Sequence, residues 1–471
     1  MQVFVRSLWL TALLIGATAS AWAADGDLDL GFGENGVALV ASADSVFVST
    51  GLVVQTDGKI LFCGTGPSSD GSHHVGIVSR LNADGSPDRT FGDAGHFELD
   101  TRNIDRPCAA LALQRDGKIV VATQDVADET APVLDVETHL VRLETGGTRD
   151  LSFGDGGVSR VNFIVDDYDI ATALAIQPDG AIVLGVATRP NRLGIARVRE
   201  DGSNDSSFGV DGRVTIQFPL TLYSIADVSD ILVDPQERIV VTGSITIDNV
   251  GRTAFAAARV LRDGTIDRSF GSGGGVMVAF VDRSAAPYPA LLQDDGRIVL
   301  AGWAATLAPD FGNETYNVAA VCLLDDGTLD PSFGSGGMRI IPLDLVEAGA
   351  GVAVAGVIRR DRRIVLVGHA QMASGPSRGF MLQLDEHGND VEDFATQGAR
   401  IFDVGPDERN ALGFTGIAMQ GSKYIIGGTA LRERPYLQTT FAVRVDGPLL
   451  RGHSKHQRPP PIPARTHEVA P

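Results

Sequence analysis

Residues 88–95 read DRTFGDAG, and the same frame, D-x-x-F-G-x-x-G, returns along the whole chain. Intact copies open at Asp29, Asp88, Asp150, Asp205, Asp267 and Asp330, and a seventh, altered copy reads VEDFATQG at 391–398. The aromatic falls at Phe32, Phe91, Phe153, Phe208, Phe270, Phe333 and Phe394, with spacings of 59, 62, 55, 62, 63 and 61 residues. A regular period of this size marks a repeat architecture, in which each unit is one supersecondary element.

A second landmark keeps the same beat. It reads LVVQTDGKILFCG at 52–64, LALQRDGKIVVAT at 111–123 and LAIQPDGAIVLGV at 174–186. Later copies are ILVDPQERIVVTG at 231–243, ALLQDDGRIVLAG at 290–302, GVIRRDRRIVLVG at 356–368 and a shortened IAMQGSKYIIGG at 417–428. An apolar strand meets Asp-Gly, whose tolerance of positive φ suits a two-residue hairpin, and a second strand returns. A third strand such as HLVRL (139–143) follows a variable loop. The Phe-Gly loop and a fourth strand such as VSRVNF (158–163) complete the unit.

Four antiparallel strands per repeat make a propeller blade. The expected fold is therefore all-β, a seven-bladed β-propeller. Alanines in the first strands (Ala109, Ala110, Ala112, Ala171, Ala173, Ala175) suit the crowded axis. The chain starts with a Phe-Gly loop and a fourth strand, and ends with three strands that lack them. Val37–Val40 should complete the last blade and close the ring, which removes the free sheet edges.

These two motifs resemble those of the delta-60 repeat family, secreted proteins regarded as propeller-like. The resemblance runs over roughly residues 26–447 and implies a repeat type, without implying an activity. The sixth unit departs most, with RRDRRI at its hairpin and VEDFATQG at its loop.

Three segments are expected: a signal peptide at 1–23, a propeller at 24–450, and a disordered Pro-rich basic tail at 451–471. Arg6, the apolar run Leu8–Ile15 and Ala21-Trp22-Ala23 form a secretory leader with a cleavage site near Ala23. That run is too short to span a bilayer, and no later segment is apolar enough to do so. The mature product is expected to be secreted or periplasmic.

Composition narrows the partners. The chain has 471 residues, 44% of them hydrophobic, and a formal charge of −20, or −21 once Arg6 leaves. An acidic surface disfavours nucleic acid and anionic lipid. Only Cys63, Cys108 and Cys322 occur. Cys63 and Cys108 fall on the same face of adjacent blades, a placement compatible with a disulfide in an oxidising compartment. Three buried thiols are the alternative.

The repeated aspartates invite a calcium reading, since calcium takes several oxygens. Successive copies lie on different blades, however. Local hydrogen bonds from each Asp to its own loop, with Phe plugging the gap between blades, are the better account. Candidate binding residues are instead expected around the channel mouth: Asp105, Asp166, Asp167, Asp169, Asp227 and Asp230, with Arg106, Tyr168, Tyr223, Trp303 and the Asp407-Glu408-Arg409 run beside them. Asp230 stands where other first strands have Ala110 and Ala173, making it the first candidate for a cation or ligand contact. A hydrogen-bonded turn carboxylate is the alternative.

No H-E-x-x-H, C-x-x-C or P-loop is present, and His73-His74 beside Asp70 lie in a Gly/Ser-rich loop. No catalytic constellation or cofactor is expected, with calcium left open. The sequence reads as a binding or scaffold module for a protein or glycan. A calcium-dependent, lactonase- or esterase-like propeller hydrolase is the second reading.

Overall fold

The computed structural model describes residues 24–447, apart from 41–46, 100, 102–106, 127–135, 162–169, 189–191, 219–225, 307–314, 344–347, 373–374, 396–397, 405–410 and 434–435. The proposed leader and tail lie outside the described residues. Seven four-stranded antiparallel sheets form the blades of a propeller, with no helix among the described residues.

The first strands of blades 1 to 7 are Val48–Val54, Ala110–Leu113, Ile170–Ile176, Ala226–Val233, Arg283–Leu292, Ala348–Ile358 and Ala411–Gln420. Each packs against the first strand of the next blade around the whole ring, which makes them the inner wall. Second and third strands, such as Ile60–Pro67 and His74–Leu81, are buried on both faces and read as nearly continuous apolar runs. Apolar clusters fill the gaps between blades; one joins Val183 and Ile195 of blade 3 to Ile231 and Val241 of blade 4. Non-directional apolar burial is what holds one blade to the next.

The ring closes as the repeat phase predicts. Val37–Leu39 pairs antiparallel with Tyr436–Val445, placing Val37 opposite Val443 and Leu39 opposite Phe441. Both chain ends therefore build blade 7. The N-terminal segment also supplies that blade's polar turn, since Gly26 N donates to Asp446 O at 2.8 Å.

The first hairpin differs from the two-residue form expected. Gln55 N donates to Lys59 O and Gly58 N to Gln55 O, which leaves a three-residue loop closed by Gly58 at φ +84°. A left-handed third residue after a type I turn matches the strand twist as well as a two-residue turn does. In blades 4 and 6, Glu237 (φ 60°) and Arg362 (φ 66°) occupy this position without the glycine.

Cys63 lies inside the second strand of blade 1. It is joined to Cys108, which precedes the first strand of blade 2, with Cα atoms 6.0 Å apart. Cys322 is free and buried in blade 5.

Candidate functional site

Two layers of the ring carry polar chemistry. The outer layer is built on the Phe-Gly loops. All seven motif phenylalanines are fully buried. Each ring packs against a turn glycine of the next blade: Phe91 on Gly147, Phe153 on Gly202, Phe208 on Gly264, and Phe394 on Gly26 across the closure. The loop aspartate uses one oxygen locally, as Asp88 Oδ1 accepts from Thr90 N at 3.1 Å and Thr90 Oγ1 at 2.6 Å.

Its other oxygen meets a residue that the sequence reading missed. A third-strand arginine lies eight residues before the aspartate, and Arg80 Nε donates to Asp88 Oδ2 at 2.8 Å. Arg142–Asp150, Arg197–Asp205 and Arg259–Asp267 repeat the pair, each at 2.7 Å. Each guanidinium also stacks over the motif ring, 4.5 Å from the Phe91 centroid and 4.6 Å from that of Phe153. The constant eight-residue offset was the available signal. Burial alone would raise the Asp88 carboxyl, but the Lys59 ammonium, the Thr90 donors and Arg80 hold it well below the usual carboxylate range.

Two blades depart from this clamp. In blade 5, Cys322 stands where the arginine would be, and Arg297, just before the second strand, reaches Asp330 Oδ2 at 3.1 Å instead. In other blades the clamp arginine meets a glutamine at the end of the first strand, as Arg80 meets Gln55 at 3.3 Å; in blade 6 the two exchange places. Arg359 comes from the first strand and Gln383 from the third, and they meet at 3.2 Å.

The inner layer is the channel wall. In six of the seven first strands the register shifts at a bulge, the exception being the short Ala110–Leu113. Where the bulge carries a hydroxyl, it can tie neighbouring blades together. Thr50 Oγ1 donates to Cys108 O, Thr172 Oγ1 to Val228 O, and Ser229 Oγ to Pro287 O, each at 2.7 Å.

Asp230 follows the bulge of blade 4. Its Oδ1 accepts from Ile231 N at 2.8 Å, and its Oδ2 accepts from Ala290 N of blade 5 at 2.9 Å. Ala290 follows Pro287-Tyr288-Pro289, where two prolines interrupt the ladder, so the carboxylate supplies an acceptor there. Burial pushes the Asp230 carboxyl up to about 6, against the lowering effect of the two amides. These contacts give Asp230 the hydrogen-bonded role named as the alternative in the sequence reading.

Asp227 lies three residues earlier, at the mouth end of the same strand. The residue is exposed overall while its carboxyl is partly desolvated, which raises the pKa, and it has no hydrogen-bond or ion-pair partner among the described residues. Asp105, Asp166, Asp167 and Asp169 lie outside the described residues, as do Arg106, Tyr168, Tyr223 and 407–409. Trp303 packs edge-on against Tyr316, with centroids 5.1 Å apart. His73 Nδ1 lies 2.7 Å from Ser72 Oγ within its own loop. Among the described residues, no three His, Cys, Asp or Glu side chains gather closely enough to hold a metal ion.

Segments 55–91, 114–153, 177–208, 238–270 and 293–333 match the model described as "Domain of unknown function (DUF5122) beta-propeller". Each matched segment runs from a first hairpin to the motif phenylalanine, in blades 1 to 5. No curated protein matches the chain by sequence.

Among solved structures, a PL25 ulvan lyase bound to a GlcA-Rha3S saccharide superposes with a TM-score of 0.51 at 9% identity, covering 90% of this chain and 95% of that one. A protein of unknown function from Dyadobacter fermentans gives 0.46 at 10% identity, covering 88% and 98%. The GH93 α-L-arabinofuranosidase of Fusarium graminearum, complexed with arabinobiose, gives 0.44 at 11%, covering 87% and 97%. At these identities the likeness concerns the propeller fold alone.

Proposed function

We propose that this protein is a secreted or periplasmic binding or scaffold module that engages a protein or glycan partner at the channel mouth of blade 4. The supporting observation is the contrast between Asp227 and the repeated carboxylates. Asp88, Asp150, Asp205, Asp267 and Asp330 are held inside the ring by cations and their own loops. Asp227 breaks the repeat, faces solvent and has no partner among the described residues. A carboxylate of this kind accepts hydrogen bonds from sugar hydroxyls or pairs with a basic side chain. The Cys63–Cys108 bridge supports an oxidising compartment.

The test is thermal denaturation of the mature protein with calcium, with EDTA, and with panels of glycans and lactones. A ligand of the native state raises the midpoint in proportion to its occupancy. Stabilisation by a glycan or captured protein, lost in Asp227→Ala and indifferent to EDTA, is the expected result. Calcium-dependent stabilisation together with lactone turnover would replace this reading with the hydrolase one.

A further inference from the structure

The sevenfold repeat supplies an internal control for a site on the opposite face, where the first hairpins and Phe-Gly loops lie. In blade 1, Lys59, just before the second strand, places Nζ 2.7 Å from Asp88 Oδ2, beside Arg80 Nε at 2.8 Å. Blade 2 repeats this with Lys118 and Arg142, both 2.7 Å from Asp150 Oδ2. Blade 7 does so with Lys423 and Arg444, both 2.6 Å from Asp29 Oδ2. In three blades, then, one carboxylate oxygen takes an ammonium and a guanidinium together.

Blade 3 retains the arrangement but lacks the ammonium. Its hairpin has the same backbone, with Ala181 N donating to Asp179 Oδ1 at 3.0 Å as Lys118 N donates to Asp116 Oδ1. The residue at the lysine position is Ala181. Asp205 Oδ2 accepts from Arg197 Nε at 2.7 Å and, among the described residues, from no second cation. A hollow of about 820 Å³ opens there, lined among others by Ala181, Asp205, Ser207, Asp179, Glu200 and Lys118. The basic residue of blade 4 is present as Arg238 but is drawn to Asp234 and Asp325, so the vacancy in blade 3 has a different origin.

We propose that this hollow binds a primary alkylammonium group, seated on Asp205 Oδ2 as the lysine ammoniums of blades 1, 2 and 7 sit on their own aspartates. The chain itself shows the pose three times, with geometry and second cation included. Asp205 is 6% exposed, and an ammonium reaching it leaves water for a site already organised by Arg197 and Ser207. Charge-assisted bonds of this kind are the stronger class. The Glu200 carboxyl, which lies over Gly180 at the same turn, adds negative charge to the rim.

Three further cations face the hollow, of which Arg142 is committed to Asp150 at 2.7 Å. Arg262 is held by Asp179 at 3.2 Å and Glu237 at 2.9 Å. Arg199 approaches Asp205 from the other oxygen, with Nη2 3.6 Å from Oδ1, and its side chain is 53% exposed. Arg199 thus leaves the Oδ2 position open and has room to turn outward. This site stands apart from the channel mouth and does not depend on the function proposed there.

Titration calorimetry of the mature protein with n-butylamine, Nα-acetyl-lysine methylamide and a lysine-containing tripeptide tests the proposal, with the Nε-acetylated lysine compound as control. We expect one site with Kd on the order of 1 mM for a single charged anchor, and no binding of the acetylated control. Ala181→Lys should fill the slot from within, weaken binding by about tenfold or more, and raise the thermal midpoint. Lys118→Ala should open a second site in blade 2 and double the stoichiometry. Equal affinities for butylamine and the tripeptide would assign the slot to small amines, whereas tighter tripeptide binding would assign it to a lysine on a polypeptide. Absence of saturable binding, or undiminished binding in a folded Ala181→Lys variant, would overturn the proposal. So would binding that occurs only in Arg199→Ala, because Arg199 would then be the slot's occupant.

Discussion

Asp29 and Arg444 stand 415 residues apart in sequence, yet Arg444 Nε donates to Asp29 Oδ2 at 2.6 Å. Lys423 joins them at the same distance, so the clamp of blade 7 is assembled from both chain ends. Breaking a largely buried pair by removing one partner leaves the other charge uncompensated. Asp29→Ala should therefore destabilise by about 3 kcal/mol and expose a free sheet edge. Urea denaturation measures the first effect and light scattering the second. A loss no larger than that of an exposed aspartate would mean that the closure does not depend on this contact.

The plug role of the motif aromatics has its own test. The Phe153 ring is fully buried, with the Arg142 guanidinium above it and Gly202 of the next blade against its edge. Phe153→Ala should cost ~3–5 kcal/mol, read from denaturant midpoints at constant slope. A cost below ~1 kcal/mol would contradict a load on that ring.

The disulfide should matter to stability. Cys63 and Cys108 close a sequence separation of 45 residues, for which the chain-entropy account gives about 4 kcal/mol. Reductant, or Cys63→Ala with Cys108→Ala, should lower the denaturation midpoint by a corresponding amount. A midpoint insensitive to reductant would show that the bridge contributes nothing.

Asp230 should impose a pH dependence opposite in sign to that of the clamps. Its folded pKa of about 6 is raised above 3.8, so the native state holds this proton more tightly than the unfolded chain. The stability it contributes is complete below pH ~4 and is lost as pH rises through 6, by roughly 3 kcal/mol. The lowered carboxyls of Asp88 and Asp150 act the other way, losing stability only as pH falls below their unfolded range. The wild-type advantage over Asp230→Ala should shrink between pH 4 and 7. A constant difference across that window would refute the assignment.

Gln293 should be dispensable where its counterparts are not. Gln420 accepts from Arg444 Nη1 at 3.0 Å and donates to Gly58 O at 2.6 Å. In blade 5, Cys322 replaces the arginine, and the side-chain Oε1 and Nε2 of buried Gln293 lack a partner among the described residues. Gln293→Met should be neutral or stabilise by up to ~1 kcal/mol, while Gln420→Met should cost ~1–2 kcal/mol. Thermal midpoints of the two variants give the comparison.

The sequence by itself determined the blade count, the strand order within a blade and the closure by Val37–Leu39. These depend on local chemistry repeated in phase: a left-handed turn residue, a buried Phe and alternating strand lengths recur whatever their neighbours do. The Asp-x-x-Phe-Gly frame was legible for the same reason, as was the placement of Cys63 near Cys108. Only the tertiary structure decided what each aspartate meets. Lys59 of the first hairpin, Arg80 of the third strand and Asp88 of the Phe-Gly loop converge, and Gly147 covers Phe91 from the next blade, because packing brings distant positions together. Asp230 looked open in the sequence because its acceptor role depends on a proline-broken strand sixty residues away. Ala181 carries no signal in the sequence; it stands out only beside the lysines that occupy the same place in blades 1, 2 and 7.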